Sequence, residues 1–162
     1  MKIGIISDTH IIHRIDSIND SWIETAFKDT QMIIHAGDLE RPELVGAFNQ
    51  PVYAVRGNCD PFTDTLPLTR SIETEAGLIT VAHRVEDARA ALSERSVVMI
   101  YGHTHIPVIS QQENLLVINP GSARLPRGGF PASVAVLEIS SKVLKAELKT
   151  VDEMRREYNT DK

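Results

Sequence analysis

Cysteine is nearly absent: Cys59 is the only one in a chain of 162 residues. One cysteine excludes an internal disulfide, and an all-cysteine zinc site would need four. The chain therefore reads as an intracellular protein. Long apolar runs are missing as well. None approaches the roughly 18 apolar residues of a membrane span, so no membrane partner is expected. The opening "MKIGIISDTH" reaches Asp8 before it could form the apolar stretch of a signal peptide. The expected location is cytoplasmic. There is no basic surplus either: 17 Lys and Arg face 22 Asp and Glu, a net charge of −5. The cations are scattered, which argues against long nucleic acid but not against a phosphate held through metal ions.

What remains is an apolar fraction of 42%, ordinary for one soluble domain long enough to bury a proper core. "KIGIIS", "QMIIHAGD" and "PVYAVRGN" are short apolar runs of strand type, each ending in polar residues. Between them, residues 18–29 place Ile18, Trp22, Ala26 and Phe27 on one helical stripe, and "RPELVGAFN" carries Pro42 where a helix tolerates it. The first 60 residues thus read strand–helix–strand–helix–strand, which implies a parallel sheet with its ligand site beyond the carboxyl ends of the strands. The second half predicts a hairpin turning near Gly77, a helix over 86–95 and a buried strand in "VVMIYGHTH". Two more hairpins follow, one turning near Glu113 and Asn114 and one within "SVAVLEISSKVLKAELKT". The expected fold is α/β: two mixed sheets packed face to face with helices outside, an α/β/β/α sandwich. Residues 1–151 are taken as one domain, and 152–162 as a charged tail, either a frayed helix or disordered.

The polar residues that follow these strands are Asp8 and His10, Asp38, Asn58, His83, and His103 with His105. Each alone has an ordinary role, as a turn former, a cap or a hydrogen-bonded histidine. Together they form a set of metal-capable side chains on one edge of the predicted sheet. In "DTH" and "GHTH" the paired residues stand at i and i+2, which in an extended chain puts both on one side. Imidazole, carboxylate and amide oxygen suit a borderline divalent ion rather than Ca²⁺. Seven donors are too many for one ion and favour two, about 3.5–4 Å apart and bridged by a carboxylate.

The series "DTH", "HAGD", "RGNCD", the His of "VAHR", "GHTH" and "NPGS", in this order from residue 7 to residue 122, resembles the calcineurin-like metallophosphoesterase superfamily. Within it the chain is most similar to the small single-domain bacterial and archaeal phosphodiesterases. The resemblance implies that Asp8, His10 and His105 hold a first ion, that Asp38 bridges, and that Asn58, His83 and His103 complete a second site. Asp38, Asn58 and His83 are carried over as catalytic residues. The ions would be Mn²⁺, with Fe²⁺, Ni²⁺ or Zn²⁺ as alternatives. The implied reaction is hydrolysis of a small phosphoester, a phosphodiester above all, by water that the two cations acidify. Asn119 and Ser122 would position these groups. His35 would serve as a hydrogen-bonding support behind the ligands or as plain packing, and His13 would lie on the surface.

Two residues depart from the family's usual pattern. Arg84 stands where Gly commonly follows the histidine; it reads either as a phosphate contact or as a surface cation. Cys59 stands where many members carry a histidine that resembles a general acid. A thiol is a poor acid with an ordinary pKa near 8.5, and two neighbouring cations would draw it toward thiolate. Cys59 is therefore expected to be neither ligand nor acid. The alternative to an enzyme is a non-catalytic interaction scaffold on the same fold, as in the retromer scaffold subunit. A complete ligand set favours the enzyme. Homo-oligomerisation is left open.

Overall fold

The computed structural model describes residues 1–10 and 22–160. Ten strands among them form two five-stranded sheets. In the first, β1 (Lys2–Ile6), β2 (Met32–His35) and β3 (Val52–Ala54) run parallel. The antiparallel strands β9 (Ser133–Ile139) and β10 (Leu144–Thr150) extend it beyond β1. In the second, β5 (Gly77–Ala82), β6 (Ser96–Ile100) and β8 (Leu115–Asn119) are parallel. There β4 (Thr69–Thr74) and β7 (Val108–Gln112) pair antiparallel at the two edges.

Strand alternation decides what each face meets. Ile3, Ile5, Ile34 and Leu137 point inward from the first sheet, against Ile79, Val81, Ile100 and Ile118 of the second. On the outer face of the first sheet, Ile6 and Ile33 pack under Phe27 of α1 (Trp22–Phe27) and Met154 of α3 (Val151–Thr160). On the outer face of the second, Met99 and Val117 pack under Ala88 of α2 (Val85–Ala90). The result is the expected sandwich of two sheets between helices. Each fully buried branched or aromatic side chain stabilises it by about 1.5–3 kcal/mol.

Two elements differ from the sequence reading, and the tail takes one of its two expected forms. The segment opening at Pro42 is a 3₁₀ helix over Pro42–Ala47 rather than an α-helix, with no side-chain cap at Arg41 and a glycine inside it. The helix expected over 86–95 ends at Ala90. Beyond it Ser93 and Ser96 take backbone N–H groups with their hydroxyls, at 3.0 Å (Ser93 N to Ser96 Oγ) and 3.3 Å (Arg95 N to Ser93 Oγ), and so compete with a further helical turn. The charged tail takes the helical form, a capped helix over Val151–Thr160. Thr150 Oγ1 accepts the Glu153 N–H at 3.2 Å, and Glu153 Oε2 accepts the Thr150 N–H at 2.9 Å. This reciprocal pair is a capping box, and it lets Val151 and Met154 bury in the core. The helical stripe of residues 18–29 is seen from Trp22 onward, with Ala26 and Phe27 buried; Ile18, the side chain of Trp22 and His13 lie outside the described residues. No helix among the described residues is long and apolar enough to cross a membrane.

Candidate metal centre

The parallel strands β1, β2, β3, β5 and β6 deliver their following loops to one edge of the sandwich, and these loops carry all seven predicted residues. Their backbone is not extended. Asp8, His10, Asp38, Glu40, His103 and His105 have φ of 52, 43, 57, 65, 68 and 60°, so the i and i+2 members of "DTH", "DLE" and "HTH" are all left-handed. The expectation of an extended pair is corrected. The Thr104 N–H bonds the Gly102 carbonyl at 2.8 Å and closes a three-residue turn around His103. Such conformations cost non-glycine residues about 1–3 kcal/mol each and persist only where the surroundings impose them.

Here the surroundings are specific hydrogen bonds. Asp60 accepts the N–H groups of Asp38 (2.9 Å), Glu40 (2.6 Å) and Gly57 (2.8 Å), which joins the loops after β2 and β3. His35 is 1% exposed; its Nδ1 accepts the Gly37 N–H at 3.2 Å, so its Nε2–H donates to Thr9 Oγ1 at 3.1 Å. Burial, with the His83 charge, pushes His35 down to about 3, and it stays neutral. Asn119 donates to the Gly102 carbonyl and to Thr104 Oγ1 (2.9 and 3.0 Å), and Ser122 donates to the Asp8 carbonyl (2.7 Å). Two glycines permit the close approach: a Cβ on Gly57 would overlap the Asp38 carboxylate, and one on Gly102 would overlap the Ser7 hydroxyl.

Three histidines are fixed in one tautomer. His10 Nδ1 faces Glu40 Oε1 at 2.7 Å, His83 Nδ1 faces the Ala36 carbonyl at 2.8 Å, and His105 Nδ1 faces the Leu125 carbonyl at 2.5 Å. Each acceptor requires a proton on Nδ1, which turns the Nε2 lone pair of the neutral ring into the site. His10 Nε2 and His105 Nε2 then stand 3.4 Å apart, with Asp8 Oδ1 at 4.0 and 3.2 Å from them. Asp8 Oδ1 is buried and is the one such side-chain oxygen or nitrogen among the described residues without a hydrogen-bond partner. Burial raises the Asp8 carboxyl above the ordinary carboxylate range, even though Ser7 donates to its other oxygen. Two facing lone pairs and an orphaned carboxylate oxygen are a set that a cation satisfies.

A second set lies beside it. His83 Nε2 is 3.1 Å from Asn58 Oδ1 and 3.3 Å from Asp38 Oδ2, and the same Asp38 oxygen is 3.8 Å from His10 Nε2. Asp38 therefore stands between the two sets. Burial would raise its carboxyl, but the His83 contact and the Cys59 N–H at 2.8 Å outweigh that and hold it well below the usual range. Burial lowers His83 in turn, yet Asp38 prevails and raises it. Donor atoms of Asp8, His10 and His105, and of Asp8, Asp38 and His83, fall within 4.8 Å of one another. His103 joins at the rim, its ring edge-on to His83 at 5.1 Å and its N–H on Asp8 Oδ2 at 3.1 Å. Burial and the Arg84 charge hold its imidazole low. The donor sets around Asp8 fit a divalent metal ion.

Two participants were not read from the sequence. Glu40 orients His10 and Asp60 ties the loops; the only signal was an acid two residues after an already selected one. Cys59 is exposed and its thiol meets the Asn58 amide at 3.3 Å. Burial and then the Asp38 charge push it up to about 11. His10, Glu40 and Cys59 form a third donor triple, although His10 and Glu40 are already joined directly.

A family model described as a calcineurin-like phosphoesterase superfamily domain matches residues 1–142. A probable metallophosphoesterase of Methanothermobacter thermautotrophicus is 36% identical over 159 residues, covering 91% of each chain. A phosphodiesterase of Methanocaldococcus jannaschii is 30% identical over 166 residues, 88% of this chain and 95% of the relative. Among solved structures, a single mutant of Vps29 from Entamoeba histolytica superposes with a TM-score of 0.67 over 92% of this chain and 98% of that one. At 20% identity it shares the fold alone.

Proposed function

The chain belongs to the calcineurin-like phosphoesterase superfamily, and from that premise we propose that it is a dinuclear metal-dependent phosphodiesterase. The observation that carries the reading is Asp38 Oδ2, which faces His10 Nε2 of one donor set and His83 Nε2 of the other. Asp8, His10 and His105 would hold one ion and Asn58, His83 and His103 the other, with Asp38 shared. The ions would be Mn²⁺, with Fe²⁺, Ni²⁺ or Zn²⁺ as alternatives. Bound there, such a pair supplies Lewis acidity and a water acidic enough to ionise near neutral pH.

The protein's own part is positional. Glu40, Ala36 and Leu125 hold three imidazoles with Nε2 inward, Asp60 and His35 fix the loops, and Asn58 and His103 stand on the exposed side where a phosphoryl oxygen would arrive. No side chain needs to act as a covalent nucleophile. Residues 1–151 are taken as the catalytic domain, working in the cytoplasm on a small phosphoester rather than on long nucleic acid. The alternative is a scaffold without turnover, which the Vps29 likeness supports at the level of fold only.

The test is a metal-by-substrate panel on chelator-treated protein, with phosphomonoesters, phosphodiesters and cyclic nucleotides. Metal content approaching two equivalents per chain and turnover of bis(4-nitrophenyl) phosphate are expected. Full activity at one equivalent would sink the two-ion scheme. Two bound ions without turnover of any ester would favour the scaffold.

A further inference from the structure

A cleft of about 350 Å³ opens from the second donor set, with Asn58 and His83 on its inner side. Its other walls are Arg56, Arg84, Phe62 and Leu68. Phe62 is 83% exposed and Leu68 55%, so neither serves the core. The Arg56 guanidinium lies over the Phe62 ring, 4.6 Å from its centre, as a cation–π contact on one face. Arg84 makes no salt bridge among the described residues, and its charge reaches His103. Asp60 and Asp87 also line the cleft, but the Asp60 carboxylate is occupied by three backbone N–H groups. Two guanidiniums and two carboxylates thus line the cleft, Asp60 turned onto backbone N–H groups, with exposed apolar Phe62 and Leu68 in the same walls as Asn58 and His83.

Charge and shape together select the occupant. Cations near the reacting position suit a phosphoryl anion, and an open aromatic face suits a flat ring. We propose that this cleft is the subsite for an ester arm, and that the substrate is a phosphodiester with a flat aromatic arm, aryl or nucleobase. The ring rests on Phe62 and Leu68, and Arg84 meets the phosphoryl oxygens. The proposal rests on the phosphodiesterase reading above.

The test measures binding rather than turnover. Mn²⁺-loaded protein is titrated calorimetrically with benzylphosphonate and with methylphosphonate, neither of which has an ester bond to lose. Benzylphosphonate should bind about tenfold tighter, the scale of one ring stacking on an aromatic side chain. Phe62→Ala, at an exposed position, should erase that ratio, and Arg84→Gln should weaken both ligands several-fold while leaving the ratio in place. Thymidine 5′-monophosphate distinguishes the two arms. Tight binding that Phe62→Ala abolishes assigns a nucleoside, and binding no better than methylphosphonate leaves an aryl arm. Equal affinities for the two phosphonates, a ratio unmoved by Phe62→Ala, or no phosphonate binding would overturn the subsite. Turnover of bis(4-nitrophenyl) phosphate by the same samples judges the enzyme reading separately. Turnover without the ratio removes only the subsite, and the ratio without turnover removes only the enzyme.

Discussion

Asp38 is the side chain that faces both donor sets. Its Oδ2 serves His10 and His83, its Oδ1 takes the Cys59 N–H, and its own N–H is held by Asp60. Asp38→Asn keeps the shape but removes the charge from both sets. Activity should fall by about 100-fold or more, since loss of even an outer partner of a metal ligand costs 10–100-fold. Metal analysis should show fewer than two ions. Retention of most activity under saturating metal would refute the shared-carboxylate assignment. Cys59 lies close by but has little to contribute, because a thiol with an ordinary pKa near 8.5 is a poor acid for a leaving oxygen. Cys59→Ala should leave turnover of aryl phosphodiesters within a few-fold of wild type. A series of esters of graded leaving-group pKa should give the same steep dependence in both proteins. A shallow wild-type dependence that became steep in Cys59→Ala would make Cys59 the acid, worth 10²–10⁴-fold.

At the scale of elements, the packed sheets and the helices on them supply the stability while the strand-end loops carry the strain. Six left-handed residues in three loops are held by Asp60, His35, Asn119 and Ser122, and all of these depend on the sheets staying in register. The C-terminal helix contributes from the opposite side. Its Met154 is 2% exposed and packs with Phe27 and Ile6 on the outer face of the first sheet. Met154→Ala should cost about 2–5 kcal/mol, a fall in Tm on the order of 10 °C for a chain of this size. Thermal unfolding followed by circular dichroism measures it. A change below about 2 °C would mean that the helix is not docked in solution.

For the whole molecule, the pH dependence of stability follows from a histidine that the fold keeps neutral. The folded protein holds His35 at about 3, whereas the unfolded chain protonates it near 6.5. Its contribution is therefore present above 6.5 and is lost as pH falls toward 3. One proton taken up by the unfolded state alone costs about 1.4 kcal/mol per pH unit, or about 3–6 °C in Tm. His83 has the opposite sign: Asp38 raises it, so its contribution is full below 6.5 and is lost above its raised value. Asp8, raised by burial, works against the acid loss because the folded state takes up its proton first, so chelator-treated protein should lose stability toward pH 4 less steeply than His35 alone dictates. His35→Gln, which can keep one acceptor and one donor, should show a shallower acid slope by scanning calorimetry. An unchanged slope would mean that His35 does not set the acid limit.

The sequence by itself determined the period of each strand, the order of the motifs and which side chains could bind metal. Alternation and polar strand ends depend on neighbours a few residues apart, so Asp8, Asp38, His83 and the rest stood out without coordinates. It also carried, unread, the Thr150–Glu153 capping box that turns the tail into a helix. Only the tertiary structure decided the backbone that presents the site. The i, i+2 pairs are left-handed because Asp60, His35 and Ser122, distant in sequence, take up the hydrogen bonds that make such φ values tolerable. It alone brought Glu40 onto His10 and fixed three tautomers. It also set Arg56, Phe62 and Arg84 around one cleft. Local pattern records what a residue can do next to its sequence neighbours. Which lone pair faces which charge depends on loops from two sheets meeting at one edge, and no window of sequence contains both.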